Sequence, residues 1–191
     1  MKKRVIIAGS GGQGILFFGQ LLTYAAMLDG LEVTCFPSYG AEMRGGTANC
    51  TVIISDSVIG SPVIRNPDIL VVLNDASYIR FSEKLSSGGI LIYDSSVVNS
   101  GVHREDIKTI KVPANDILSS FNGARSANMA MLGAFIAVTE IVEIDSVFRA
   151  LDEITPSRRR ASLDVNKAII MKGYSSLYDV PLNTLEGNLK G

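Results

Sequence analysis

Residues 4–36 read RVIIAGSGGQGILFFGQLLTYAAMLDGLEVTCF, and this stretch predicts a strand, a helix and a second strand in turn. Residues 4–8 form a short β-branched run that ends at glycines, which is typical of a buried strand. Apolar residues recur at helical spacing over residues 13–28, and Asp29 with Gly30 ends that helix. Residues 31–36 predict the second strand, so the stretch predicts a βαβ unit with a parallel sheet and a right-handed crossover.

The rest of the chain predicts further strands and helices around this unit. Residues 47–54 alternate polar and apolar side chains and, with residues 58–59 after a Ser-Asp-Ser turn, predict an antiparallel hairpin added to the sheet. Further strands are predicted at 69–73, 90–93 and 109–112, and further helices at 75–85, 127–141, 145–154 and 161–177. The expected fold class is α/β: a Rossmann-like, mostly parallel sheet with the added hairpin and helices on both faces.

Chain length and net charge limit the number of domains and the kinds of function that this protein can have. The 191 residues suffice for a single domain, which we expect over residues 1–180, with a C-terminal tail over 181–191. A net charge of −1 argues against a nucleic-acid-binding protein, and the basic run at 158–160 is expected to be a solvated surface. The apolar runs at 5–8 and 129–142 are too short for a signal peptide and a bilayer span. We therefore expect a cytoplasmic protein.

A glycine-rich turn joins the first predicted strand to the first predicted helix. Its residues fit the spacing GxGxxG, and they are Gly9, Ser10, Gly11, Gly12, Gln13 and Gly14. Such a turn directs backbone N–H groups and a helix N-terminus toward a phosphate or other anion. The same glycines could instead serve only a tight turn with close packing. A standard NAD site also needs an acidic residue at the end of the second strand, where residues 36–38 read FPS, so the dinucleotide interpretation is disfavoured.

A second unusual segment, residues 38–50, reads SYGAEMRGGTANC and is predicted to begin as a loop beyond the second strand. That position lies at the carboxyl edge of the sheet, on the same side as the glycine turn, where open α/β sheets bind ligands. The candidate binding residues are Ser38, Tyr39, Glu42 and Arg44. Arg44 either pairs with Glu42 or meets an anionic group on a substrate, cofactor or partner.

The sequence contains few of the motifs that an enzyme needs to catalyse a reaction without partner subunits. The one histidine, His103, lies in a polar stretch, and no GxSxG, HExxH, Walker lysine or EF-hand loop occurs. No Gly-Asp-Gly element of the thiamine diphosphate–Mg type occurs either. An iron–sulfur cluster normally takes four thiolates, so a chain with only Cys35 and Cys50 cannot hold one alone. We therefore predict no catalytic residue and no metal ligand on this chain, and we expect both cysteines to be reduced.

GSGGQG at 9–14 and SYGAEMRGGTANC at 38–50, in this order and spacing, resemble the gamma subunit of 2-oxoacid:ferredoxin oxidoreductases, the pyruvate/ketoisovalerate oxidoreductase gamma domain family. Asn74, the segment 128–134 and the segment 164–166 extend the resemblance over most of the chain. The resemblance implies a complex that converts a 2-oxoacid and CoA to acyl-CoA and CO2 and passes electrons to ferredoxin. It places thiamine diphosphate, Mg and iron–sulfur clusters in partner subunits.

The resemblance also implies the partners and a place for CoA. The partners are alpha and beta thiamine-binding subunits and a ferredoxin-like delta subunit, with no nucleic acid and no membrane. By position, the glycine turn and the segment 38–44 become candidates for contact with CoA phosphates or with the subunit interface. The form MRGGTANC is more similar to 2-oxoglutarate or branched-chain 2-oxoacid enzymes, and we rank 2-oxoglutarate first. A stand-alone nicotinamide-dependent oxidoreductase and a purely structural adaptor subunit stay open as alternatives.

Overall fold

The structure, a computed structural model, describes residues 1–38, 47–100, 104–121, 124 and 126–178. The strands within these ranges are β1 (Lys2–Ser10), β2 (Glu32–Ser38), β3 (Thr47–Ser55), β4 (Ile69–Val72), β5 (Ile90–Asp94) and β6 (Lys108–Val112). The helices are α1 (Ile15–Leu28), α2 (Asp75–Phe81), α3 (Ala114–Ser119), α4 (Ala127–Thr139), α5 (Ile144–Ile154) and α6 (Leu163–Ser175). Short 3-10 helices cover Ser82–Lys84 and Ser157–Ser162. No helix in the described ranges is long and apolar enough to cross a membrane.

The strands form one sheet in the order β2-β3-β1-β4-β5-β6. Strands β1, β4, β5 and β6 pair in parallel, whereas β3 pairs antiparallel with both β1 and β2. The α/β class, the mostly parallel sheet and the added antiparallel hairpin are therefore confirmed. Predicted and observed element bounds agree within two residues, except that α2 ends at Phe81, four residues before its predicted end, and α3 is not among the helices predicted above.

The arrangement of the antiparallel part differs from the prediction in two respects. Strands β1 and β2 run in the same direction, but β3 lies between them, so they are not neighbours. The hairpin arms are β2 and β3, and residues 58–59 belong to no strand. Val58 is 87% exposed and Ile59 is only partly buried, so residues 58–59 have no buried side chain to hold a strand against the core. The nine-residue β3 instead pairs with β1 along its whole length and with β2 over Asn49–Ser55.

Strand β1 is buried on both faces of the sheet, which explains its continuous apolar sequence. Val5 and Ile7 point into a core cluster that contains α1, α4, α5 and α6, where Phe18 and Phe135 meet edge to face with ring centroids 5.9 Å apart. Ile6 points into a second cluster on the other face, which is covered by α2 and the segment after β5. The helices therefore lie on both faces, as predicted.

Helices α4 and α6 cross with their backbones in contact. A Cβ on Gly133 of α4 would lie 2.8 Å from the backbone nitrogen of Tyr174, and a Cβ on Gly173 of α6 would lie 2.8 Å from the Cα of Ala130. The obstructing atoms belong to backbone rather than to mobile side-chain ends, so the helices must separate if either glycine gains a side chain. Glycine at both positions thus sets the distance between two helices that pack on the same face of the sheet.

We expect Gly173→Ala to lower the free energy of unfolding by about 3 kcal/mol, since a methyl group would overpack the α4–α6 crossing. Gly60→Ala is the matched control, because a Cβ there meets no atom within 4 Å. That control should change the free energy of unfolding by no more than about 0.5 kcal/mol. Urea unfolding followed by circular dichroism measures both, and equal effects of the two substitutions would contradict the backbone contact.

An ion pair joins the start of β1 to the residue before β4. The backbone N–H of Arg4 donates to Oδ2 of Asp68 at 2.8 Å, and its guanidinium Nε and Nη2 donate to Oδ2 and Oδ1 at 3.0 and 2.5 Å. Burial acts to raise the pKa of Asp68, but the hydrogen bonds and charge of Arg4 outweigh it and hold that pKa below its usual value. The carboxylate is therefore stabilised in the folded state.

An aspartate whose folded pKa is lowered stabilises the fold above the unfolded pKa of about 3.9, and this contribution is lost as the pH falls through the folded pKa. We therefore expect Asp68→Asn to be less stable than the parent chain at pH 7. The difference should shrink as the pH falls below about 4. Urea unfolding at pH 7, 5 and 3 measures it, and an equal difference at pH 7 and pH 3 would show that the charge of Asp68 contributes nothing.

Candidate functional site

The glycine turn adopts a backbone conformation that glycine favours. Gly12 and Gly14 have φ angles of 94° and 74°, in the left-handed region where a side chain is strained. At Gly9, a Cβ would lie 2.7 Å from both Oε1 of Gln13 and Cδ1 of Ile15. The glycines are therefore required by the turn itself, and the helix α1 begins directly after it with Gly14 as its N-cap.

A hydrogen-bond network holds this turn against the carboxyl end of β4. Gln13 accepts from the N–H of Ser10 at 2.6 Å and donates to the carbonyl of Leu73 at 2.8 Å. Asn74 donates to the hydroxyl of Ser10 at 2.6 Å, and its own side-chain oxygen accepts from the N–H of Ser77 at 2.8 Å, which caps α2. The side chains of Ser10 and Gln13 thus join two parallel strands at the sheet edge and position the turn.

A cleft of about 340 Å³ opens beside the turn. The starts of two helices form its walls: α1, which begins after Gly14, and α4, which begins after Ser126. Neither N-cap residue provides a side-chain hydrogen bond to its helix. Asn128 fixes the two helix starts together by donating to the carbonyl of Gly14 at 3.2 Å. Because the first N–H groups of a helix have no intrahelical partner, both helix starts direct donors and partial positive charge toward this region.

The third wall comes from the segment between α5 and α6 and from the first turn of α6. It contributes Arg159, Ser162 and Asn166, and Arg159 is the one charged side chain among the described residues that line the cleft. Arg159 makes no ion pair with any described residue. Thr155 also lines the cleft, and its hydroxyl oxygen is buried without a hydrogen-bond partner in the described ranges. The cleft therefore combines a fixed cation, two helix N-termini and an unsatisfied hydroxyl, a combination that suits an anion.

The sequence-predicted residues fall into three groups. Gly12, Gln13 and Gly14 line the cleft, whereas Gly9, Ser10 and Gly11 build the turn without lining it. Ser38 ends β2 and pairs with Asn49, which in turn pairs with Ala8, so it lies two strands from β1 at the same edge, roughly 10 Å away. Tyr39, Glu42, Arg44 and His103 lie outside the described residues.

Sequence reasoning missed the far side of the cleft. Arg159 belongs to a basic run that was expected to be a solvated surface, and it is exposed, but it faces the glycine turn across the cleft. The resemblance did single out the segments that contain Asn128 and Asn166, without assigning them a role. Only the packing of α4 against α1 and of α6 against α4 brings these side chains to the turn, and no local pattern in the sequence carries that information.

The described residues do not fit the cofactors of a self-sufficient redox enzyme. No group of three or more His, Cys, Asp or Glu in the described ranges could hold a metal ion. The two cysteines of the whole sequence are too few for an iron–sulfur cluster. A dinucleotide site of the Rossmann type needs an acidic residue on the strand beside β1, but β3 occupies that place and β2 ends in Phe36, Pro37 and Ser38.

Comparisons with a family model and with curated proteins all find oxidoreductases that act on 2-oxoacids. A family model described as pyruvate ferredoxin/flavodoxin oxidoreductase matches residues 4–176. Ketoisovalerate oxidoreductase subunit VorA of Methanothermobacter marburgensis is 38% identical over 170 residues, which are 89% of this chain and 35% of VorA. The chain thus spans about a third of the length of that relative. 2-Oxoglutarate synthase subunit KorC of Methanocaldococcus jannaschii is 34% identical over 177 residues, 91% of this chain and 93% of KorC.

A solved structure has the same fold over nearly its whole length. The gamma subunit of a keto/oxoacid ferredoxin oxidoreductase from Geobacter sulfurreducens is 27% identical, with a TM-score of 0.80 over 92% of this chain and 95% of that chain. The resemblance found in the sequence is confirmed at the level of the family. The glycine turn, the order of the sheet and the match over residues 4–176 together show that this chain belongs to the pyruvate ferredoxin/flavodoxin oxidoreductase family.

Proposed function

We propose that this chain is the gamma subunit of a 2-oxoacid:ferredoxin oxidoreductase and works in the cytoplasm. The proposed complex converts a 2-oxoacid, CoA and oxidised ferredoxin to acyl-CoA, CO2 and reduced ferredoxin. The domain over residues 1–180 contacts alpha and beta thiamine-binding subunits, and a ferredoxin-like delta subunit carries electrons onward. Family membership and the similarity to KorC and to the Geobacter gamma subunit support this role.

The composition of the site supports a role in binding rather than in bond cleavage. The cleft offers hydrogen-bond donors, helix N-termini and Arg159, but no carboxylate, thiol or imidazole among its described residues. Such a site can hold and orient an anionic ligand, and it cannot by itself move protons or electrons. The chemistry, which thiamine diphosphate and iron–sulfur clusters supply when bound, belongs in this proposal to partner subunits.

We assign the cleft beside the glycine turn to a phosphate-bearing part of CoA. The observation that carries this assignment is the meeting of two uncapped helix N-termini with Arg159 around one opening. Each helix start carries about half a positive charge, and an arginine forms short, charge-assisted hydrogen bonds to phosphate. Thr155, with its unpartnered hydroxyl, adds a further donor when its side chain rotates toward the ligand.

The cleft also has an apolar side that suits a nucleobase. Phe17, Met129 and Pro156 line it together with the polar groups. A volume of about 340 Å³ lies at the lower end of the range for small-molecule sites, so it fits one part of CoA rather than the whole molecule. The phosphate and the adenine are the parts that match the polar and apolar walls.

The segment after β2 completes the proposed ligand surface. Ser38 lies at the same sheet edge as the turn, two strands away, and Tyr39, Glu42 and Arg44 follow it in sequence. We propose that Arg44 meets a second anionic group on the ligand or a group on a partner subunit. Arg44→Ala distinguishes the two: loss of co-purification indicates an interface, whereas an intact complex with a raised KM for CoA or the oxoacid indicates ligand contact.

The proposed substrate is 2-oxoglutarate. The similarity to KorC and the form MRGGTANC support this choice, while the similarity to VorA favours a branched-chain 2-oxoacid. The side chains that select the oxoacid can belong to partner subunits. The comparison of oxoacids therefore has to be made on the assembled complex.

We expect the chain to be inactive alone and active only with its partner subunits. The experiment co-expresses the chain with the subunits encoded beside it and measures CoA-dependent reduction of ferredoxin with 2-oxoglutarate, 3-methyl-2-oxobutanoate and pyruvate. The highest kcat/KM for 2-oxoglutarate supports the substrate proposal. NAD(P)H-dependent activity of the isolated chain, or calorimetric binding of NAD or NADP, would instead favour the stand-alone nicotinamide enzyme.

Within that complex we expect Arg159→Gln to raise the KM for CoA roughly tenfold with little change in kcat, the loss expected for one charge-assisted hydrogen bond. Arg158→Gln is the matched control, because Arg158 is also exposed but does not line the cleft. Its KM for CoA should stay at the parent value. Unchanged kinetics in both variants, with an intact complex, would contradict the CoA assignment and leave the adaptor role.

A further inference from the structure

A pair of cysteines lies on the antiparallel side of the sheet, away from the cleft. Cys35 of β2 pairs in register with Val52 of β3, and Cys50 of β3 pairs with Pro37 of β2. The two cysteines are thus diagonal neighbours on one face of the hairpin, the face that packs against α1. Their sulfur atoms lie 3.4 Å apart, within reach of an S–H···S hydrogen bond.

The two cysteines differ in exposure. Cys50 is 1% exposed and lies beneath Gly19 of α1, where a Cβ would come within 3.1 Å of the Cβ of Cys50. Cys35 is half-buried and forms part of the wall of a second cleft of about 380 Å³, together with Thr23, Tyr24 and Ile154. This cleft shares no lining residue with the one beside the glycine turn. A small molecule can therefore reach Cys35 but not Cys50.

The hydrogen bond between the sulfurs also makes the two thiols chemically unequal. By donating to Cys35, the thiol of Cys50 lowers the pKa of Cys35, and the same bond raises the pKa of Cys50. The negative charge belongs on Cys35, because that sulfur is the better solvated of the two. An accessible thiolate beside a buried, protonated thiol is the arrangement found in peroxide-sensing proteins, where the second cysteine resolves the oxidised form of the first.

We propose that Cys35 is a site of oxidation by hydrogen peroxide or an alkyl hydroperoxide and that Cys50 resolves it to an intrachain disulfide. In the first step the Cys35 thiolate attacks the peroxide, the O–O bond breaks, and with one proton the products are Cys35 sulfenic acid and water or an alcohol. In the second step the sulfur of Cys50 attacks the sulfenic sulfur, the S–O bond breaks, and water leaves with the thiol proton. Two thiols lose two electrons in total, and one peroxide is reduced.

The position of the two cysteines in the sheet allows the disulfide bond between them to form. A disulfide needs an S–S distance of about 2.05 Å, so the sulfurs must approach by a further ~1.3 Å. Strand β2 is the outermost strand and pairs only with β3 among the described strands, so it can shift without breaking a second ladder. The resulting ring runs from Cys35 to Cys50 and includes Ser38, one of the proposed binding residues. The inference stands on the sulfur geometry and does not depend on the proposed function.

The test treats the reduced full chain with hydrogen peroxide in the presence of dimedone, which traps sulfenic acids, and follows it by peptide mass spectrometry. The parent chain should lose two hydrogen atoms and show a peptide linked through Cys35 and Cys50, with little dimedone adduct. In Cys50→Ala, dimedone should accumulate on Cys35, because no thiol remains to resolve it. In Cys35→Ala, the matched control, Cys50 should stay unmodified under the same treatment.

A second measurement needs no variant and so does not depend on how the variants fold. Limited alkylation of the reduced parent chain with iodoacetamide should label Cys35 roughly tenfold faster than Cys50. Equal labelling of the two cysteines would overturn the assignment of Cys35 as the reactive thiol. Accumulation of Cys35 sulfinic acid in the parent chain without the linked peptide would overturn the role of Cys50.

Discussion

Strand β1 makes hydrogen bonds on both sides and is buried on both faces, and the other elements are placed by that constraint. On one side it pairs with the antiparallel β3 over nine residues, and on the other it pairs with the parallel β4. Its side chains alternate between two cores, so α1 and α2 have to cover opposite faces. The glycine turn at its carboxyl end consequently opens at the sheet edge, where the start of α1 becomes accessible to a ligand.

Backbone geometry, more than side-chain chemistry, shapes the cleft at that edge. The left-handed glycines of the turn expose the start of α1, and Asn128 ties it to the start of α4. The close crossing at Gly133 and Gly173 then holds α6 against α4, so that both helices contribute to the same opening. Among the described residues that line the cleft, Arg159 is the one cation, and it adds to two helix dipoles that act together, which is why the cleft suits an anion.

The sequence predicted those parts of the fold that depend on local periodicity or on a special backbone conformation. The buried strand over 4–8, the helix after it and the need for glycine at Gly12 and Gly14 all belong to this class. It mispredicted the partner of β3, because a βαβ pattern does not reveal that a later strand inserts between the first two. It also did not predict that Arg159 lines the cleft, because that position depends on packing between residues about 145 apart in the chain.

The described residues that line the cleft include no carboxylate, thiol or imidazole, whereas the two cysteines lie on the antiparallel side of the sheet. A site made of helix ends and one arginine offers hydrogen-bond donors and positive charge to an anion. The thiols of Cys35 and Cys50 are different, since one hydrogen bond between them shifts both pKa values in opposite directions. Strand β2 carries both Cys35 and Ser38, so the proposed oxidation site and a proposed binding residue lie on the same strand. Closing the proposed disulfide would therefore move the same outermost strand that places Ser38 at the sheet edge.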